Sequence, residues 1–126
     1  MGLAIDFTGK TVLVTGAGRG LGKEMALIFA DCGANVYLGN RKEEQGLETV
    51  KEIEAKGRKA GFKKCDVSKE EDVKRLIDDA VAFGNGTLDV FVNAAGVISI
   101  EDLMYTSGEE VKRLFDINVL GTTYAL

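Results

Sequence analysis

The chain has 126 residues, 45% of them hydrophobic and 29% charged, enough for one globular domain and too few for two. Its 16 basic and 20 acidic residues leave a net charge of −4, which argues against the basic surface of a nucleic-acid binder and against a polybasic membrane patch. Histidine is absent, and with it go Ser-His and Cys-His nucleophile pairs, histidine general bases and His-ligated zinc.

Short apolar runs alternate with amphipathic stretches of helical length, a pattern that predicts an α/β fold built on a parallel sheet. The first strand is Thr11–Val14, followed by a Gly-rich turn and a helix whose inward face is expected to be Leu21, Met25, Ile28, Phe29 and Cys32, ending before Gly33. The second strand, Val36–Leu38, leads to Asn40 and Glu43, spaced as a capping box for a helix with Leu47, Val50 and Ile53 inward. A third strand, Ala60–Lys64, carries Lys63 and Lys64, as suits an edge strand that must resist pairing with another chain. Ser68 and Glu71 form a second capping-box pair ahead of Val73, Leu76, Ile77, Ala80 and Val81, the apolar stripe of a helix lying on a sheet. Asn85-Gly86-Thr87 fits a glycosylation sequon but reads as a plain turn. The fourth strand, Leu88–Asn93, is a mostly continuous apolar run and is expected to be central. A last helix starts at Ser107 and Glu110, bears Val111, Leu114, Phe115, Asn118 and Thr122 on one stripe, and is apolar nearly all round. The chain stops inside it, which reads as the end of a fragment.

Cys32 and Cys65 are too few for a four-thiolate metal site and suggest no secreted disulfide framework, so no metal centre is expected and a reducing cytoplasm is. No apolar run reaches the roughly 18 residues of a membrane span, and the N-terminus carries neither a signal-peptide profile nor a myristoylation signal. No nucleic-acid or membrane partner is expected.

The turn between the first strand and helix is Thr15-Gly16-Ala17-Gly18-Arg19-Gly20-Leu21-Gly22. Glycines there let backbone N–H groups and a helix N-terminus approach a phosphate with no Cβ in the way. It is not a P-loop: counting back from Gly22-Lys23 places Ala17 where the first glycine should be, and Glu24 where Ser or Thr must bind magnesium. The spacing is TGxxxGxG, and with it the sequence resembles the short-chain dehydrogenase/reductase family. Cys65-Asp66-Val67 resembles the family's Asp-Val at the end of strand three, where the resemblance implies that the Asp contacts the adenine. Asn93-Ala94-Ala95-Gly96 resembles the NNAG motif after strand four, with Ala94 in place of the second Asn. Asn118-Val119-Leu120-Gly121 resembles the NxxG segment, whose Asn the resemblance makes part of the catalytic tetrad, holding a proton-relay water. Alone, Asp66 reads as a turn carboxylate and Asn93 and Asn118 as locally satisfied amides; it is the order of four motifs that favours the family.

The resemblance implies one NAD(P)-binding Rossmann-like domain over residues 1–126, a parallel sheet with helices on both faces, cut off after the fourth strand and its helix. It implies hydride transfer between a nicotinamide and a small-molecule carbonyl or secondary alcohol, in a homo-oligomer. The cofactor set is then Thr15, Gly16, Gly18, Arg19, Gly20, Leu21, Gly22, Asn40, Arg41, Asp66, Val67, Asn93, Ala94, Ala95 and Gly96, with Asn118 catalytic. NADP(H) is expected in preference to NAD(H), because the end of strand two offers Asn40 and Arg41 where an NAD-type site places a carboxylate. The family's catalytic Ser and YxxxK are missing: Tyr37 is followed at +4 by Arg41, Tyr105 by Glu109, and Tyr124 lies too near the end. The chain alone is therefore expected to be inactive. The alternatives are a non-catalytic dinucleotide-binding sensor or partner subunit and, more remotely, a methyltransferase-like domain, which lacks the ribose-binding carboxylate after strand two.

Overall fold

The computed structural model describes residues 5–94. They form β1 (Thr11–Thr15), α1 (Gly20–Asp31), β2 (Asn35–Asn40), α2 (Glu43–Ala55), β3 (Ala60–Lys64), α3 (Glu70–Phe83) and β4 (Val90–Asn93). The four strands make one sheet in the order β3-β2-β1-β4, parallel throughout. This is a Rossmann-like arrangement. β3 lies at an edge with the predicted bounds.

The period of two along β1 separates two cores. Val12 and Val14 pack in one cluster with Ala26 and Ala30 of α1, Val36 and Leu38 of β2, and Ile53 of α2. Leu13 faces the other way, into a cluster with Cys65, Val67, and Val73, Leu76 and Ala80 of α3. Helices therefore cover both faces, and Val12, Leu13 and Val14 are fully buried, as a strand between two neighbours and beneath two layers requires.

The inward face of α1 differs from the periodic reading. Gly22, Ala26 and Ala30 are its buried residues, whereas Leu21 and Ile28 are 72% and 57% exposed. The helix lies too close to the sheet for larger side chains: a Cβ at Gly22 would fall 2.1 Å from the Gly16 carbonyl oxygen. α2 behaves similarly, burying Gly46, Thr49 and Ile53 and leaving Leu47 43% exposed, because the Phe62 ring of β3 lies across Gly46. The stripe of α3 is as expected, with Val73, Leu76 and Ala80 buried.

Neither predicted capping box forms. The N-caps are Lys42 and Lys69, neither with a side-chain cap, because Asn40 and Ser68 are engaged elsewhere. Asn40 Nδ2 donates to the Lys42 carbonyl at 2.8 Å, and the Ser68 hydroxyl donates to Asp66 Oδ1 at 2.6 Å. Acidic residues in the first turns, Glu43 and Glu44 in α2 and Glu70, Glu71 and Asp72 in α3, complement the helix dipoles instead. β4, expected to be central, ends the sheet within the described residues: it pairs with β1 on one side, and Val90, Phe91 and Val92 are only half-buried. The sequon is a turn after α3, with Asn85 at a positive φ of 56°. The predicted last helix, which includes Tyr124, and Tyr105 ahead of it lie outside the described residues.

Candidate functional site

All four strands run the same way, so the loops that follow them gather at one edge of the sheet. From β1 the chain steps outward to β2 and β3, then returns to the other side of β1 for β4. The reversal leaves a crevice at the C-terminal ends of β1 and β4, where open parallel sheets bind ligands. The Gly-rich turn, Asn40-Arg41, Asp66 and Asn93-Ala94 lie at the C-terminal ends of β1, β2, β3 and β4 respectively.

The turn is anchored at its start by the Gly16 N–H, which donates to the Gly39 carbonyl of β2 at 2.9 Å. Gly16 and Gly20 have positive φ values of 68° and 60°, where a side chain is strained. The glycines do different work. A Cβ at Gly18 would lie 2.3 Å from Asn40 Nδ2 and 2.7 Å from Gln45 Cβ, so the middle of the turn is seated on the end of β2 and the start of α2. At Gly22 the first turn of α1 rests on the Gly16 carbonyl, with Ala94 Cβ 3.2 Å from the same added Cβ. At Gly20 a Cβ would meet nothing within 4 Å among the described residues. Arg19, the N-cap of α1, makes no side-chain cap, so the first N–H groups of the helix are presented at that open space. Their dipole favours an anion. Leu21 is exposed beside them rather than inward.

At the end of β2, Arg41 is exposed and Asn40 half-buried, and neither position carries a carboxylate. The register pairs Asn40 with Lys64 of β3, which brings a further exposed cation to this edge. Burial alone would raise the Asp66 carboxyl, but the Ser68 hydroxyl and N–H, with Arg41 and Lys69 nearby, outweigh it and hold the group below its ordinary value. The Asp66 N–H in turn donates to Asp72 Oδ2 at 3.1 Å, tying the loop to α3. Val67 belongs by its side chain to the α3-face core.

Across the crevice, Thr15 pairs with Asn93 in the sheet register, and the Thr15 hydroxyl donates to Asn93 Oδ1 at 2.8 Å. Thr15, Gly16, Gly18, Arg19, Gly20, Leu21, Gly22, Asn40, Arg41, Asp66, Asn93 and Ala94 are thus brought to one edge. Ala95, Gly96 and Asn118 lie outside the described residues. Two residues at this edge were not singled out for it by the sequence. Lys64 read only as edge protection. Thr49 read as nothing at all, yet its buried hydroxyl donates to the Ala17 carbonyl of the turn at 2.9 Å. Its one signal was a polar residue on the inward face of an amphipathic helix.

Among the described residues no group of three or more His, Cys, Asp or Glu is placed to hold a metal ion, and no helix is long and apolar enough to cross a membrane.

Comparison with known proteins gives the same fold. The chain is 42% identical over 117 residues to a diacetyl reductase [(S)-acetoin forming] of Staphylococcus epidermidis, covering 93% of this chain and 45% of the relative. It is similar to the crystal structure of a short chain dehydrogenase from Burkholderia cenocepacia in complex with NADP, with TM-score 0.89, 31% identity, 94% of this chain and 49% of that one. A 3-ketoacyl-(acyl-carrier-protein) reductase from Brucella melitensis complexed with NADH matches with TM-score 0.85 and 31% identity over 95% of this chain and 48% of that one. The chain thus spans about half the length of the relatives it matches. The family model described as short chain dehydrogenase matches residues 10–126, and the chain belongs to that family.

Proposed function

We propose that this chain supplies the dinucleotide-binding part of an NADP(H)-dependent oxidoreductase that acts on a carbonyl or secondary alcohol of a small molecule. The observation that carries the reading is the edge itself: an uncapped helix N-terminus opening on free space at Gly20, beside a strand end bearing Asn40 and Arg41 in place of a carboxylate.

The residues present fit a dinucleotide. Gly20 leaves room for a pyrophosphate against the first N–H groups of α1, and Gly22 lets that helix start close to β1. Arg19 and Arg41 are the groups for a 2′-phosphate, since a guanidinium matches a phosphate in fork-like contact. Asp66 is a carboxylate acceptor for the adenine amino group at the end of β3. Ala94 flanks the turn from β4, and Ala95, Gly96 and Asn118 are assigned by motif. When bound, the nicotinamide supplies the hydride chemistry. None of the three tyrosines has Lys four residues on, so a YxxxK acid–base pair is not supplied by these 126 residues. Free Cys32 and Cys65 suit a reducing cytoplasm, and self-association is part of the same proposal.

The test is the double substitution Asn40→Asp with Arg41→Ile. A charge pair at about 4 Å with an effective dielectric near 20 is worth roughly 4 kcal/mol before desolvation and ordering, and a net ~1.4 kcal/mol is a tenfold preference. The variant should shift preference from NADP+ towards NAD+ by about tenfold or more. An unchanged ratio of the two affinities contradicts the assignment of Asn40 and Arg41.

A further inference from the structure

Thr49 is the one fully buried polar side chain of α2, at 0% exposure, and it reaches out of its own helix. Its hydroxyl donates to the Ala17 carbonyl at 2.9 Å, with the Gln45 carbonyl one turn back at 3.2 Å as a weaker second acceptor. The second contact is common for a helical threonine; the first links residues 32 positions apart. Ala17 is itself fully buried, and among the described residues its carbonyl has no backbone donor.

A peptide unit is planar, so fixing the Ala17 carbonyl also fixes the Gly18 N–H on the opposite side of the same plane. Gly18 is the residue seated on Asn40 and Gln45, and its N–H makes no backbone hydrogen bond among the described residues. The Thr49 hydroxyl thereby joins the Gly16–Gly39 hydrogen bond and the packing of Gly18 in setting where the middle of the turn lies relative to the end of β2. We infer that Thr49 is a positioning residue for cofactor discrimination, holding the Ala17–Gly18 peptide against the Asn40-Arg41 segment so that both face the 2′ position of the adenosine ribose together. The inference rests on the proposed reading of Asn40 and Arg41.

Without the hydroxyl, the buried carbonyl has lost its donor and the peptide rotates to find another, which a glycine at the next position permits. The contact that suffers is the one at the 2′ position. The experiment is calorimetric titration of NADP+ and of NAD+ into the 126-residue chain and its Thr49→Val and Thr49→Ser variants, with thermal melts alongside. Thr49→Val, equal in shape but without the donor, should weaken NADP+ by about tenfold and NAD+ by less than about twofold, and Thr49→Ser should keep both affinities. A side chain that merely packs would move both cofactors together. Equal loss of both in Thr49→Val, or no loss of either, overturns the inference. If Thr49→Val shows no cooperative melt, Thr49→Ala, which introduces no new bulk, is read by the same ratio. An unsubstituted chain with no preference for NADP+ overturns the reading of Asn40 and Arg41 and this inference with it. A clear preference that Thr49→Val leaves intact overturns only the role of Thr49.

Discussion

Alanine at Gly22 and alanine at Gly20 are the same chemical change two residues apart, and the structure gives them opposite consequences. At Gly22 the new Cβ falls 2.1 Å from the Gly16 carbonyl oxygen, against a floor of 3.0 Å for real contacts, so about 1 Å of separation must be found. The turn cannot yield easily, because the Gly16 N–H is held by the Gly39 carbonyl. α1 must then lift, which loosens Ala26 and Ala30 against Val12 and Val14. Overpacking of this kind costs about 3 kcal/mol, offset by about 1 kcal/mol of helix propensity gained on replacing glycine. A net loss near 2 kcal/mol lowers the melting temperature by roughly 10 °C in a domain of this size. At Gly20 an added Cβ meets nothing within 4 Å among the described residues and the cost is the positive φ of 60°, about 1 kcal/mol. Its Cβ enters the space assigned to the pyrophosphate. Thermal denaturation followed by circular dichroism, with titration of NADP+, separates the two. Gly22→Ala should be the less stable, and Gly20→Ala should stay folded while losing about tenfold or more in NADP+ affinity. A Gly22→Ala chain that melts within about 2 °C of the unsubstituted one, or a Gly20→Ala chain that binds NADP+ unchanged, refutes the reasoning.

Two further outcomes follow from titrating groups. The Asp66 carboxyl is held below its ordinary value of 3.8, so it contributes stability that is present above that value and lost as pH falls through the lowered one; Asp66→Asn should flatten the acid limb of stability against pH, and an unchanged limb would count against the stabilisation by the Ser68 hydrogen bonds and the nearby Arg41 charge. Burial, with Asp72 and Asp66 adding to it, pushes the Cys65 thiol up to about 12, so at pH 8 the thiolate fraction is on the order of 10⁻⁴. Iodoacetamide should therefore label Cys65 at least about a hundredfold more slowly in the folded chain than in urea, and comparable rates would contradict its burial.

The sequence made the alternation of strands and helices legible, down to the bounds of β3, because β-branched runs and a period near 3.6 are local signals. It also placed the Gly-rich turn, Asn40-Arg41, Asp66 and Asn93 at strand ends, and a parallel sheet gathers strand ends at one edge. On the inward faces of α1 and α2, Phe29, Val50 and Ile53 pack against the core as expected, but the closest packing selects Gly22, Ala26, Ala30 and Gly46, which a search for large apolar residues passes over. Leu21 and Leu47 drew the eye and turned out exposed. Capping boxes failed for another local reason: Asn40 and Ser68 had alternative partners, Lys42 and Asp66, that spacing does not reveal. Thr49 was illegible because its partner, Ala17, is distant in sequence and is a backbone carbonyl, which no residue type advertises.

The central claim is that this edge holds a dinucleotide and distinguishes its 2′ group. Titration calorimetry of NADP+ and NAD+ with the unsubstituted chain, at matched ionic strength because phosphate contacts are screened by salt, tests it most directly. NADP+ should bind tighter than NAD+ by about tenfold or more. Tighter binding of NAD+, or no binding of either, would contradict it.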